Sequence, residues 1–382
     1  MKVLLTATVQ SHICQFHKPL VEVLHAHGCE VHVAARDNLA EKNGLKLDFV
    51  EKVFDIPFSR SPKSKDNLRA KKMLQEIIDE GHYDVIHCNT PMGGIVTRLA
   101  AKHAHKNGAR VIYTAHGFHF YEGSPKKNWM IYYPIEKYFS RKNDTLITIT
   151  NEDYRLAKKK FHCHVEHIHG VGVDEKRYFP VSREEKLRLR KEMGYGENQK
   201  LLLCVGELLP NKNQKMAIHA MQKIVKQYPD AILFIAGNGP EKDSLENEIK
   251  ICGLEQNVKM LGYCTHLQDY QHIIDVLVAC SYREGLPLNI VESMLSANPV
   301  VASVNRGHKE LIKNGENGYL VSVNDSDAMA DKIMDLFADK QKSEELSKNA
   351  YDFALDYCFT SVKKELEEIY SSFFVEYNDY IN

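Results

Sequence analysis

Two glutamates separated by seven residues, Glu284 and Glu292, stand in the stretch SYREGLPLNIVES at 281–293, directly after the apolar run 275–280. Glu284 precedes a Gly285-Leu286-Pro287 turn, and Glu292 falls within the helical pattern of Leu288, Ile290, Val291, Met294 and Leu295. A strand, a turn and a helix in this order aim the turn's N–H groups and the positive helix end at an anion above the sheet. A carboxylate at the turn can accept hydrogen bonds from sugar hydroxyls. Another, two helical turns deeper, can grip a ribose diol, because a carboxylate offers several lone pairs to neighbouring hydroxyls. Taken singly, Glu284 equally suits a first-turn helix acid and Glu292 a solvated helix face.

A second stretch, VGELLPNKNQ at 205–214, ends a strand at Gly206, turns through Pro210 and Asn211, and places Lys212 and Asn213 at the start of the next helix. Gly206 permits close backbone approach, and a lysine there can meet a diphosphate as a point charge. AGNGP at 236–240 follows the next strand with Gly237 and Asn238, and Gly262-Tyr263 closes the one after, where backbone groups can read a base edge. Each of these alone is an ordinary turn. Four successive strand ends carrying glycine turns or charged groups define one ligand-binding rim if the strands belong to a doubly wound sheet.

The first half offers TAHGFHFYE at 114–122, in which His116 and His119 follow a strand, and QSHICQ at 10–15, in which Gln10, Ser11, His12 and Gln15 leave another. His116 can hydrogen-bond a transferred sugar or its diphosphate, and the opening loop can meet an acceptor. The stretch 126–142, KKNWMIYYPIEKYFSRK, mixes basic residues with the chain's one tryptophan and several tyrosines. It reads as an interfacial membrane segment or as a solvated helix with an aromatic packing face, and Lys158, Lys159 and Lys160 add nearby charge for anionic headgroups.

These residues need sheets to hold them. Unalternated apolar runs at Lys2–Val9, Glu30–Arg36, 49–56, Val85–Asn89, 110–117, 145–150 and 165–173 alternate with helical patterns, as parallel strands covered on both faces do. A second cycle runs through 201–207, 231–236, Val258–Gly262, 276–280, 300–304 and 318–323. The class is therefore α/β with two doubly wound, Rossmann-like domains, 1–172 and 173–359, joined near HGVGVDEKRYFP at 169–180. The end of the chain is helical, and an amphipathic stretch bearing Leu366, Ile369, Tyr370, Phe373 and Phe374 requires a surface; a helix over about 360–382 that packs back on the first domain supplies one.

Composition agrees with this plan. The 382 residues exceed what one core organises, and 43% apolar with 26% charged residues is the balance of a globular protein. A net charge of −1 argues against a nucleic-acid partner, although the first 175 residues carry about +5 and fifteen of the nineteen histidines. Nine scattered cysteines without C-x-x-C pairs read as buried thiols, and the early polar residues of the amino terminus point to a cytoplasmic protein.

Taken with KVLLTATVQSHICQFHKPL at the start, the motifs resemble those of the family 4 glycosyltransferases, particularly bacterial members that build capsule, exopolysaccharide or lipid-linked oligosaccharides. The resemblance spans nearly the whole chain. It implies the GT-B fold, a retaining and metal-independent transfer in a cleft between two domains, and a nucleotide diphosphate sugar as donor, UDP-linked hexose or N-acetylhexosamine above all. The acceptor it implies is a glycan or a lipid-linked sugar, met at the inner face of the membrane. By position Glu284 resembles the glutamate facing the donor sugar, Glu292 the one holding the ribose, Lys212 the diphosphate cation and His116 the first-domain histidine near the reacting sugar. Two departures stand out: Glu207 follows Gly206 where many relatives have Arg, leaving Arg283 to supply a second cation, and Val9-Gln10-Ser11-His12 replaces a pair of glycines. A nucleotide-sugar epimerase or hydrolase, and a partner subunit that binds nucleotide sugar without turning it over, fit the same motifs.

Overall fold

The computed structural model describes residues 1–42 and 44–381, with Glu41 and 375–381 described by backbone alone. Its contacts divide the chain into two units: Met1–Gly172 with the terminal helix Phe359–Ile381, and Val173–Cys358.

The first unit holds seven parallel strands, β1 (Lys2–Val9), β2 (Glu30–Arg36), β3 (Lys52–Asp55), β4 (Val85–Asn89), β5 (Arg110–Ala115), β6 (Thr145–Thr148) and β7 (His164–His167), in the order β3-β2-β1-β4-β5-β6-β7. The order reverses between β1 and β4. Val3, Leu4, Leu5, Ile86, Val111 and Ile112 on the central strands are fully buried, which explains runs with no polar alternation. Several strands stop short of the apolar runs that announce them. The run 165–173 ends as strand at His167, because Gly170 and Gly172 take φ of 80° and 81°, a left-handed backbone that leaves the ladder.

The second unit repeats the plan with β8 (Leu201–Val205), β9 (Ile232–Ala236), β10 (Val258–Gly262), β11 (Val276–Ala279), β12 (Val300–Ser303) and β13 (Tyr319–Val321), ordered β10-β9-β8-β11-β12-β13 and all parallel. Here the reversal falls between β8 and β11. A crevice forms at the carboxyl ends of strands where the order reverses, because the helices leaving the two neighbours run to opposite faces. Gly206 and Ser281 therefore begin two loops over one such crevice.

The terminal helix Phe359–Ile381 lies on the first unit. Tyr370 is fully buried with its hydroxyl 2.7 Å from His87 Nδ1, the Glu365 carboxylate accepts from the His169 N–H at 2.8 Å, and Lys363 pairs with Glu22. His27 stacks on Phe374 at 4.0 Å between centroids. The amphipathic face seen in the sequence thus covers β4 and the helix Lys18–Ala26; the last residue of the expected 360–382 stretch, Asn382, lies outside the described residues.

Candidate active site

In the second unit the loops after β8 and β11 are bound together. Tyr282 N–H donates to Asn211 O, and the Asn211 side chain donates to Arg283 O, each at 2.9 Å. Lys212 closes the short turn Pro210–Lys212, and Asn213 follows in the left-handed region at φ 53° before the helix Gln214–Gln227 begins. That reversal aims Lys212 back over the sheet. Its Nζ lies 2.6 Å from Glu284 Oε1, with only 25% and 15% of the two side chains exposed.

Glycine makes the approach possible. A Cβ at Gly206 would meet the Lys212 stem at 3.4 Å, so the lysine lies against bare backbone. A Cβ at Gly237 would sit 1.9 Å from Gly206 O, and one at Gly239 2.4 Å from Leu208 O, so the AGNGP turn is pressed onto the β8 loop. Leu208 N–H donates to Asn238 O at 2.9 Å and Gly237 N–H to Gly262 O at 2.7 Å. The carbonyls of Asn238 and Gly262 are therefore committed to the rim itself, while the Tyr263 side chain is exposed beside them.

Glu292 occupies the helix Leu288–Leu295 with a different set of neighbours. Burial raises its carboxyl to about 7, against the opposing pull of nearby Arg177 and a hydrogen bond from Tyr178. Arg177 also reaches Gln268 Oε1 at 3.0 Å, just beyond the end of β10. The rim thus has two parts: a cation and acid pair, Lys212 with Glu284, over the crevice, and an acid, Glu292, with Tyr178 toward β10. Leu286 is half-buried and Pro287 buried within the turn between them, and Gly285 O lies where a Cβ on Gly307 would meet it at 2.5 Å.

Glu207 and Arg283 both face solvent. The Glu207 carbonyl accepts from the Gln214 side chain at 3.0 Å. Tyr178 and His308 were not singled out in the sequence. His308 Nδ1–H donates to Ser303 O at 2.6 Å, and the charges of Glu284 and Lys212 reach its ring. A fifth strand end carrying a glycine, Asn305-Arg306-Gly307-His308 after β12, was the available signal.

In the first unit His116 follows β5, with Nε2 at 3.2 Å from both Asn89 Oδ1 and His12 Nε2. Burial holds His116 down at about 4 and His12 well below its ordinary value, so both rings are neutral at physiological pH. The expected opening loop is a helix, Gln10–Phe16, starting directly at the end of β1. Ile13 is fully buried beneath it, so an apolar anchor replaces the flexibility of paired glycines. Gln10 and Ser11 turn inward: Gln10 Nε2 donates to Ala35 O at 3.4 Å, and Ser11 bonds Asn38 through both N–H and Oγ. Gln15 stays exposed, and His119 stacks on Tyr132 at 4.7 Å.

The stretch 126–142 forms the helix Lys126–Phe139 and one further turn. Trp129 and Tyr133 pack on Phe120, while Met130 is 78% exposed beside exposed Ile131, Tyr132, Ile135 and Tyr138. Among the described residues, no helix is long and apolar enough to cross a membrane.

Two parallel, doubly wound sheets in two units of one chain are the architecture of the GT-B fold. Comparison with known proteins agrees: residues 2–151 match the model of glycosyl transferase 4-like proteins, and residues 185–353 that of glycosyl transferases group 1. EpsD of Bacillus subtilis (strain 168), described as a glycosyltransferase, is 39% identical over 374 residues, covering 97% of each chain. The UDP-Gal:alpha-D-GlcNAc-diphosphoundecaprenol alpha-1,3-galactosyltransferase of Escherichia coli is 25% identical over 311 residues, covering 79% of this chain and 80% of that one. The crystal structure of Anabaena Alr3699/HepE in complex with UDP and glucose superposes with a TM-score of 0.76 at 23% identity, covering 97% of this chain and all of that one. The chain belongs to the family 4 glycosyltransferases and is an enzyme of the hexosyltransferase class.

Proposed function

We propose that this enzyme is a retaining glycosyltransferase that moves a hexose or N-acetylhexosamine from a UDP-sugar to a glycan or lipid-linked acceptor during surface polysaccharide synthesis. The observation that carries the reading is the Lys212–Glu284 pair, held at 2.6 Å over the crevice where the strand order reverses. Without donor the two charges satisfy each other. With donor, Lys212 neutralises the diphosphate, Glu284 accepts from sugar hydroxyls, and Glu292 accepts from the ribose diol.

The bond from the sugar's anomeric carbon to the diphosphate oxygen breaks as positive charge spreads over the ring. The acceptor oxygen bonds to the same face, and its proton passes to the departing phosphate oxygen. A preorganised cation at the leaving group lowers that barrier because it needs no reorganisation as charge develops. Lys212 and backbone amides carry this charge in our reading, with no metal ion. The neutral His116 ring offers a hydrogen bond to a sugar hydroxyl. The E. coli relative is described with a UDP-sugar donor and a lipid-diphosphate-linked acceptor, and the HepE structure with UDP and glucose, which supports the same substrate classes here.

We place the enzyme in the cytoplasm, held peripherally on the inner membrane face through Met130, Ile131, Ile135 and Tyr138, with Lys126, Lys127, Lys137, Arg141 and Lys142 on anionic headgroups. The test is incubation of the purified enzyme with a panel of UDP-sugars, with and without a lipid-diphosphate-linked glycan, following UDP release and the anomeric configuration of the product by NMR. Acceptor-dependent UDP release with an unchanged anomeric configuration is expected. An inverted product, or sugar released equally well without acceptor, refutes the reading.

A further inference from the structure

Three histidines converge at the carboxyl edge of the first sheet. His12 sits within the helix Gln10–Phe16, His17 caps that helix with its N–H on Ile13 O at 3.0 Å, and His116 begins the loop leaving β5. One ligand nitrogen from each lies within 4.8 Å of the other two. His17 is only 4% exposed, and its Nε2 has no hydrogen-bond partner. An unsatisfied polar atom so deeply buried is costly, and a ligand there would satisfy it.

The spacing suits a metal ion. Four nitrogen or oxygen ligands at about 2.0–2.1 Å in a tetrahedron stand about 3.3 Å from one another. His12 Nε2 and Asn89 Oδ1 each lie 3.2 Å from His116 Nε2, close to that separation. His116 has only to carry its hydrogen on Nδ1 for Nε2 to be free to ligate.

We propose that His12, His17 and His116 bind a divalent transition-metal ion, zinc above all, and that the bound ion takes the His116 nitrogen needed by the sugar and so restrains transfer. Imidazole nitrogens without a carboxylate select zinc-like ions over magnesium or calcium, which demand oxygen ligands. The fourth position falls to Asn89 Oδ1 or to water. The charge of Arg60, which is felt at His12, opposes a bound cation and so favours reversible occupancy. The metal site stands on this geometry alone; only its effect on turnover rests on the proposed function.

The test is titration of the metal-free full chain with cobalt(II), whose visible spectrum reports tetrahedral coordination, followed by displacement with zinc. One equivalent should bind, with affinity falling about tenfold or more in His12→Ala and in His17→Asn. It should be unchanged in His219→Ala, which removes a ligand from the separate His219, Glu248 and Cys252 group. Zinc should depress UDP-sugar consumption with the same midpoint as its binding. Circular dichroism identifies any variant that fails to fold, and the other then carries the comparison. Absence of uptake by the folded chain, or uptake that survives both substitutions, overturns the metal site. Uptake with unaltered turnover overturns the restraint, whereas a chain that binds cobalt but consumes no donor contradicts the proposed function instead.

Discussion

Lys212 Nζ and Glu284 Oε1 lie 2.6 Å apart although 72 positions separate the residues, because β8 and β11 are hydrogen-bonded neighbours whose loops are joined over the point where the strand order reverses. A strong electrostatic partner is thus positioned before any substrate arrives.

Replacing Lys212 by Ala should lower kcat by about two orders of magnitude or more, the loss seen when a single preorganised donor to a developing oxyanion is removed. Because only 25% and 15% of the two side chains are exposed, the substitution also leaves the Glu284 carboxylate without its partner, and stability should fall by about 1–3 kcal/mol. Initial-rate kinetics paired with thermal denaturation separates the two effects. Unimpaired kcat would remove Lys212 from the leaving-group site.

Gly237 tests the rim rather than the chemistry. At φ 145° and with a Cβ 1.9 Å from Gly206 O, Gly237→Ala forces either the strained backbone to change or the β8 loop to withdraw. Either costs about 1–3 kcal/mol. Stability and UDP affinity should fall together, since Gly206 supports the Lys212 stem. Calorimetry and denaturant midpoints showing a wild-type protein would contradict the contact.

The strand ends were legible because a parallel sheet buried on both faces writes each strand as an unbroken apolar run, and its carboxyl edge must follow. Glu284 and Lys212 could be found for that reason. Tyr178 on Glu292 and His87 on Tyr370 could not, since pairs 114 and 283 positions apart leave no local pattern. The opening helix Gln10–Phe16 was also hidden: its first residues are polar, and only the burial of Ile13 reveals why the chain turns at once into a helix. The sequence reads Gly237 as part of a ligand rim, and its close approach to Gly206 requires glycine independently of any ligand.

Glu292 gives the fold a pH dependence of definite sign. Its carboxyl is raised from 4.5 to about 7, so the folded chain holds a proton that the unfolded chain releases as pH rises through that window. The stability contributed by the protonated form is full below 4.5, declines between there and 7, and is gone above. The shift itself corresponds to about 3 kcal/mol, which partial exposure of the residue reduces to about 1–2 kcal/mol. Glu292→Gln should flatten the decline and leave the variant the more stable protein at pH 8. Urea unfolding across the pH range checks this, and parallel curves for the two proteins would refute it.

The exposed Glu207 stands next to the Gly206 against which Lys212 lies. If one cation does the work here, the neighbouring acid weakens the field at the diphosphate, and reversing its charge should strengthen it. Glu207→Arg should tighten UDP binding about fivefold, equivalent to about 1 kcal/mol for a solvent-exposed charge interaction. The gain should shrink as salt is raised, because exposed charges are screened within about 10 Å at 0.1 M ionic strength. Titration calorimetry at low and high salt measures both. Equal affinity for the two proteins at low salt would mean that the Glu207 side chain points away from the donor phosphates and that Lys212 works with a partner other than one at this position.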